Sequence, residues 1–121
     1  MILKKLNKYG HGRGDKVLEY VSKIILENVG NRDFIGRIGG DEFVMIVHKR
    51  TVKEVKRIVE RIRREVEECS VKDVSEKNKT SCTVSASIDE IRNDDILESV
   101  LERAEKRLYK AKFLGKNRVI A

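Results

Sequence analysis

Two glycines, Gly39 and Gly40, separate an apolar run ending at Ile38 from the unbroken apolar run Phe43-Val44-Met45-Ile46-Val47. A β-hairpin accounts for this arrangement best. Gly-Gly supplies the positive-φ positions of a tight turn between twisted strands, and an apolar run without alternation suits a strand covered on both faces. The predicted strands run from about Asp33 to Ile38 and from Phe43 to Val47, the second lying inside a sheet. Asp41 and Glu42 stand between the glycines and Phe43. Neighbouring strand residues point to opposite faces, so the two acids cannot both be core. At a hairpin tip they suit a hard cation such as Mg²⁺, which takes one or two carboxylates together with phosphate oxygens. A solvated turn fits the same residues, and both readings stand on this stretch alone.

The rest of the chain alternates helical and extended patterns. Val17, Leu18, Val21, Ile24, Ile25 and Val29 recur at helical spacing from Lys16 to about Val29, with Asp15 where an N-cap belongs. Val52, Val55, Ile58, Val59, Ile62 and Val66 mark a second amphipathic helix, and the polar stretch that follows Glu68, through Lys79, reads as a loop. Cys82, Val84, Ala86 and Ile88 alternate with Thr83, Ser85 and Ser87, the period of a half-buried strand. Asp94 and Asp95 open a third helix with Ile96, Leu97, Val100, Leu101, Ala104, Leu108 and Ala111 on its apolar face. Gly115 ends that helix as a C′ residue, and Arg118 to Ala121 close with a short strand. The order α, β-hairpin, α, β, α, β describes an α+β fold, helices packed on a mostly antiparallel sheet.

With 121 residues and no internal repeat or linker, residues 1–121 form a single domain. No stretch is long and apolar enough for a membrane span, and Lys4 and Lys5 interrupt any secretory signal, so a soluble, cytoplasmic protein is expected. Cys69 and Cys82 lack metal-ligand spacing and read as free thiols. A formal charge of +7, from 27 basic against 20 acidic residues, favours phosphate-bearing partners without separating nucleotide from nucleic acid. The absence of Pro and the abundance of Lys, Arg, Glu and Ile resemble a thermophile's composition.

Three segments in one order carry a resemblance: Gly10-His11-Gly12-Arg13-Gly14-Asp15, Gly39 to Phe43, and Ala104 to Lys112 followed by Gly115 and Asn117. Together they resemble the GGDEF family of diguanylate cyclases over nearly the whole chain. Thr83-Val84-Ser85 is similar to the family's strand before the last helix. The resemblance implies a palm-like, ferredoxin-like fold shared with nucleotidyl cyclases and polymerases. It also implies that two domains, each holding GTP and Mg²⁺ or Mn²⁺, join the nucleotides into cyclic di-GMP. Asp41 and Glu42 would be the metal-binding and catalytic acids, with Gly39 and Gly40 admitting phosphate close to the backbone. Asn7 and Asp15 would read guanine, whose donors and acceptor an amide and a carboxylate complement. Lys112 and Lys116 would hold phosphate; without the resemblance, basic residues there equally stabilise a helix C-terminus. Tyr109 is expected to pack, and His11 to be a loop residue.

The chain also departs from the family pattern. The family's first central strand, with its metal-binding Asp, is missing from the expected fold. The apolar edge from Phe43 to Val47 would then be open to a rearranged neighbour or to a homodimer partner. The stretch Leu3 to Lys8 is one residue short before Tyr9, which shifts the register around Asn7. Gly30 and Asp33 occupy the positions of the family's Arg-x-x-Asp product-inhibition motif, so weak or absent feedback binding is expected. No sensory or dimerising domain is expected ahead of the chain. The sequence supports a diguanylate cyclase of low activity, or a degenerate domain that binds GTP or cyclic di-GMP without turnover. A small basic nucleic-acid-binding protein is the third reading, disfavoured because no aromatic platform accompanies the lysines.

Overall fold

A computed structural model describes residues 2–4, 6–8, 14–39, 42–73 and 82–121, with side chains over 19–38, 42–68 and 83–121. Its elements in order are β1 (Ile2–Lys4), β2 (Leu6–Lys8), α1 (Gly14–Asn28), β3 (Phe34–Gly39) and β4 (Glu42–Ile46). There follow α2 (Val52–Asp73), β5 (Cys82–Val84), β6 (Ala86–Asp89), α3 (Leu97–Phe113) and β7 (Val119–Ile120). Five strands form a sheet in the order β3-β4-β1-β6-β7, and β2 pairs with β5 in a separate ribbon. Every pairing is antiparallel except β6 with β7.

The sheet corrects one expectation from the sequence. Its central position is filled: Ile2–Lys4 lies between β4 and β6, with Ile2 opposite Ile46 and Asp89, and Leu3 opposite Met45 and Ile88. Two buried strands facing a gap would leave their backbone donors and acceptors unpaired, and a three-residue strand supplies both with partners. Val44 to Ile46 are therefore paired on both sides, by β3 and by β1, and the basis for dimerisation through an open edge at β4 is removed. The exposed edges of the sheet are β3 and β7.

Alternation along β4 divides the core in two. Phe43, Met45 and Val47 pack with Val21, Ile24 and Ile25 of α1, with Val55, Val59, Ile62 and Val66 of α2, and with Val84, Ala86 and Ile88. Val44 faces the other way, onto Val100 and Ala104 of α3, with Ile46 and Leu101 beside them. The run of apolar residues in β4 thus reflects helices on both faces of the sheet. Thr51 caps α2, its Oγ1 accepting the Glu54 N–H at 3.2 Å.

Three local boundaries differ from the sequence pattern. Helix α2 continues to Asp73, through the first residues of the polar stretch read as a loop; the remainder of that stretch, to Lys79, lies outside the described residues. The strand expected from Cys82 to Ile88 is split at Ser85 into β5 and β6, which belong to different sheets. Its polar face is buried rather than solvated, because α3 covers it: Ser85 and Ser87 are fully buried, and the Ser87 hydroxyl donates to the Ala104 carbonyl at 2.7 Å. Helix α3 begins at Leu97 with Ile96 as N-cap, where the Ile96 N–H donates to Ser99 Oγ at 3.2 Å.

Candidate functional site

Register places the candidate elements at one end of the sheet. Val44 is level with Lys4 across one ladder, and Leu3 with Ile88 across the next. Moving along β4 toward Glu42 is therefore moving along β6 toward Ala86, where β7 begins at Val119. With strands about 4.8 Å apart, β4 and β6 lie about 10 Å from each other across β1. At this same end, β5 stops immediately before Ser85, and its Thr83 is paired with Asn7 of β2. The crossover from β6 through α3 to β7 returns the C-terminus of α3 here too, since the Arg118 carbonyl accepts the Ala86 N–H at 3.0 Å.

The hairpin contributes Gly39 and Glu42, which pair with each other after a register shift between Arg37 and Gly39. Glu42 is half-buried and is the first residue of β4 rather than part of a free tip. By parity it lies on the face of Val44, the α3 side. Gly40 and Asp41 lie outside the described residues, as do His11 and the Gly10 to Arg13 segment. Asn7 is placed through its backbone in β2, and Asp15 through its backbone as the second residue of α1, one position inside the helix rather than at the N-cap. Cys69 and Cys82 have no described side chains.

Lys112 and Lys116 flank the end of α3, both half-buried. The helix closes with a pair of nested hydrogen bonds: Gly115 N–H to the Lys112 carbonyl at 3.2 Å, and Lys116 N–H to the Ala111 carbonyl at 3.0 Å. This is the Schellman geometry, which requires a left-handed residue at Gly115, and its φ is 120°. A Cβ there would lie 2.9 Å from Arg118 Nη2. The left-handed path then continues through two non-glycine residues, Lys116 at φ 64° and Asn117 at φ 47°. Such residues cost on the order of 1–3 kcal/mol each and persist only where their surroundings enforce them.

Those surroundings come from α2 and from the break between β5 and β6. Asn117 N–H donates to the buried Ser85 Oγ at 3.0 Å. Its side-chain carbonyl accepts from Arg63 Nη1 at 3.0 Å, and its side-chain amide donates to Glu67 Oε2. Arg63 is itself held by Glu60 at 2.6 Å and by Glu67 at 3.1 Å. The hydrogen bond to Glu60, with both carboxylates nearby, raises the affinity of the guanidinium for its proton. Sequence reasoning missed this group, because Glu60, Arg63 and Glu67 at helical spacing look like the solvated ion pairs of any surface helix.

A second charged group lies toward the opposite end of β6. Asp89 is buried, with its Oδ2 3.4 Å from Arg103 Nε and 3.4 Å from Arg107 Nε. Arg103 also grips Asp95 with two hydrogen bonds of 2.8 and 2.7 Å, and the Arg92 N–H adds a third at 2.7 Å. These donors, Arg103 first, hold the Asp95 carboxyl well below the usual carboxylate range and raise the Arg103 pKa in turn. The group ties the loop after β6 to α3. Tyr109, expected to pack, is instead 72% exposed, because it lies off the face that buries Ala104, Leu108 and Ala111.

Asp33 has a structural role in the turn before β3. Its carboxylate accepts the Gly30 N–H at 2.7 Å and the His48 N–H at 3.3 Å, with Arg50 Nη1 at 3.5 Å. A Cβ at Gly30 would meet Arg50 Nη2 at 3.3 Å and Asp33 Oδ2 at 3.4 Å.

Comparison with known proteins places the chain in a family. The family profile "Diguanylate cyclase, GGDEF domain" matches residues 2–118. The chain belongs to the GGDEF domain family. Diguanylate cyclase A of Treponema denticola is 38% identical over 112 residues, 92% of this chain and 30% of that protein. Diguanylate cyclase DosC of Escherichia coli is 35% identical over 112 residues, 92% of this chain and 24% of that protein. This GGDEF domain thus spans less than a third of the length of these curated relatives. Among solved structures, the GGDEF domain of DgcB from Caulobacter crescentus in complex with c-di-GMP superposes with a TM-score of 0.83 at 31% identity. The superposition covers 99% of this chain and 76% of that one. The active GGEEF domain of a diguanylate cyclase from Vibrio cholerae gives a TM-score of 0.74 at 26% identity, covering 98% of this chain and 79% of that one. The palm-like α+β fold expected from the sequence is therefore the fold observed.

Proposed function

We propose that this GGDEF domain holds GTP at the end of the sheet shared by Glu42 and the α3 terminus, and condenses two GTP molecules into cyclic di-GMP with low turnover. The supporting observation is the convergence, through the ladder registers and the β6-α3-β7 crossover, of Gly39 and Glu42 with the turn carrying Lys112 and Lys116. An acidic hairpin and a cationic helix end at one edge suit a substrate that combines triphosphate with metal.

Among the described residues no group of three or more His, Cys, Asp or Glu is assembled for a metal. Glu42 is an oxygen donor at the sheet end, and Asp41 adjoins it in sequence. One or two carboxylates fit Mg²⁺ or Mn²⁺, which retain water and substrate phosphate oxygens in their remaining positions. When bound, the cation polarises the α-phosphate and favours ionisation of the attacking hydroxyl. Gly39 and Gly40 admit the phosphates, Lys112 and Lys116 balance their charge, and Asn7 with Asp15 reads guanine. In the reaction the ribose 3′-oxygen of one GTP bonds to the α-phosphorus of the other, pyrophosphate leaves, and the hydroxyl proton passes to a carboxylate or water. Repetition with the roles exchanged closes the ring. A homodimer presenting two such half-sites is the assembly this chemistry requires.

The central strand favours a second reading. Ile2, Leu3 and Lys4 contribute no carboxylate beside β4, so a metal ligand is lacking where transition-state charge needs fixed compensation. A domain that binds GTP or cyclic di-GMP without turnover follows from that deficit. Incubation of purified protein with GTP and Mg²⁺ or Mn²⁺, with cyclic di-GMP measured by mass spectrometry, separates the two. Product formation lost in Asp41→Ala supports the cyclase; binding of fluorescent GTP without product supports the binder. Product formation that survives Asp41→Ala refutes the hairpin assignment. Salt-sensitive binding of single-stranded nucleic acid without guanine preference would favour a nucleic-acid-binding protein instead.

A further inference from the structure

We propose that Arg63, Glu67 and Asn117 are positioning residues for nucleotide binding: together they lock the left-handed turn that carries Lys116, so that α2 sets the geometry of the phosphate-holding lysine. This rests on the reading of Lys116 as a phosphate ligand. The turn leaves α3 through three successive positive-φ residues, and the last two, Lys116 and Asn117, are not glycine. The Schellman bonds of α3 fix Gly115 and the Lys116 N–H but leave the Asn117 backbone to other partners. Those partners are remote in sequence: Ser85 Oγ takes the Asn117 N–H, while Arg63 and Glu67 take the two ends of its side-chain amide.

An Asn side chain provides both a donor and an acceptor and tolerates left-handed backbone better than most residues, so it can satisfy a cation and a carboxylate from one position. Arg63 reaches it from a side chain anchored at Glu60 and Glu67, so the clamp is braced on the middle turns of α2. On the other side of the turn, Arg118 Nε donates to the Lys116 carbonyl at 3.1 Å. Lys116 is thus presented from a backbone held at both flanks. A lysine used as a point charge needs such external definition, because its flexible stem supplies none.

The test measures binding of a fluorescent GTP analogue with Mg²⁺, and KM against kcat where turnover is detected, alongside thermal unfolding. Asn117→Ala and Arg63→Ala are expected to weaken nucleotide binding about tenfold, chiefly in KM, at a temperature where each variant remains folded. In a Lys116→Ala background, Asn117→Ala is expected to have no further effect, since both act through one contact. Asn117→Asp combined with Glu67→Gln reverses the donor and acceptor across that hydrogen bond and should recover most of the affinity lost in Asn117→Asp alone. If Lys116→Ala weakens binding but Asn117→Ala merely lowers the melting temperature, the positioning role is refuted while the phosphate reading stands. If the wild-type domain binds no nucleotide, or Lys116→Ala changes nothing, the phosphate reading fails and the positioning role with it.

Discussion

Replacing Leu3 with proline tests whether the centre of the sheet is closed as described. Leu3 sits between Met45 on one side and Ile88 on the other, both 1% exposed, so water cannot replace a lost ladder bond. Proline removes one N–H, worth about 1 kcal/mol net, and leaves a buried carbonyl without its donor at a further cost of about 1–3 kcal/mol. The backbone loss is therefore about 3 kcal/mol, a large share of the roughly 5–15 kcal/mol that holds a domain together. At about 2.1 cal/mol/K per residue, this chain loses about 12 °C of melting temperature. The side chain of Leu3 changes as well, so Leu3→Ala is the comparator, and the difference between the two variants in urea midpoint and thermal midpoint isolates the backbone. Equal slopes in urea keep the comparison valid. A Pro–Ala difference under about 1 kcal/mol would show that Ile2–Lys4 does not lie inside the sheet, restoring the open edge at Phe43 to Val47.

Three further outcomes follow from the geometry. Leu108→Ala, at a site 1% exposed, is expected to cost about 2–5 kcal/mol in denaturant unfolding, and a loss under 1 kcal/mol would contradict the packing of α3. Asp95→Asn should flatten the acid limb of stability. Because Arg103 lowers the folded-state pKa of Asp95, the unfolded chain binds more protons below about pH 4; the stabilisation is present above that pH and lost as pH falls toward the folded value, which urea midpoints between pH 5 and 2 report. Asp33→Ala should lower stability by about 1–3 kcal/mol, because the Gly30 and His48 N–H groups lose their acceptor, while cyclic di-GMP affinity stays unchanged. Tight cyclic di-GMP binding abolished by this substitution in calorimetry would overturn the view that Asp33 serves the turn rather than a feedback site.

The hairpin and the three helices were legible because their signals are local. Gly-Gly between apolar runs and apolar spacing along α1, α2 and α3 depend on neighbours within a few residues. Strand β1 was not legible, because Ile2-Leu3-Lys4 is too short to show a period and its case rests on the demand of β4 and β6 for partners. The burial of Ser85, Ser87 and Asp89 was hidden for a similar reason: alternating polar residues signal solvent unless something covers them, and here α3 does. Of the candidate site, sequence brought Glu42, Lys112 and Lys116 to attention through motif spacing. It did not reveal the clamp on Asn117, whose members Arg63 and Glu67 lie about fifty residues away and carry the charges expected of any exposed helix face.

Ser85 links these observations. A regular strand from Cys82 to Asp89 would engage Ser85 in a ladder with its neighbours, but the chain changes sheets there, β5 pairing with β2 and β6 with β1 and β7. The interruption leaves a buried hydroxyl beside the returning chain, and the Asn117 N–H donates to it. One residue further, the Ala86 N–H donates to the Arg118 carbonyl and starts the parallel pairing with β7. The break in the strand is thus what receives the turn after α3. A substitution such as Ser85→Val, which suits a continuous strand better by propensity, would remove the hydroxyl acceptor at a buried position and loosen Asn117, although the strand itself gains a β-branched residue. The propensity of residues 82–89 and the geometry of residues 115–118 therefore pull against each other at Ser85, and the closure of the α3 turn prevails.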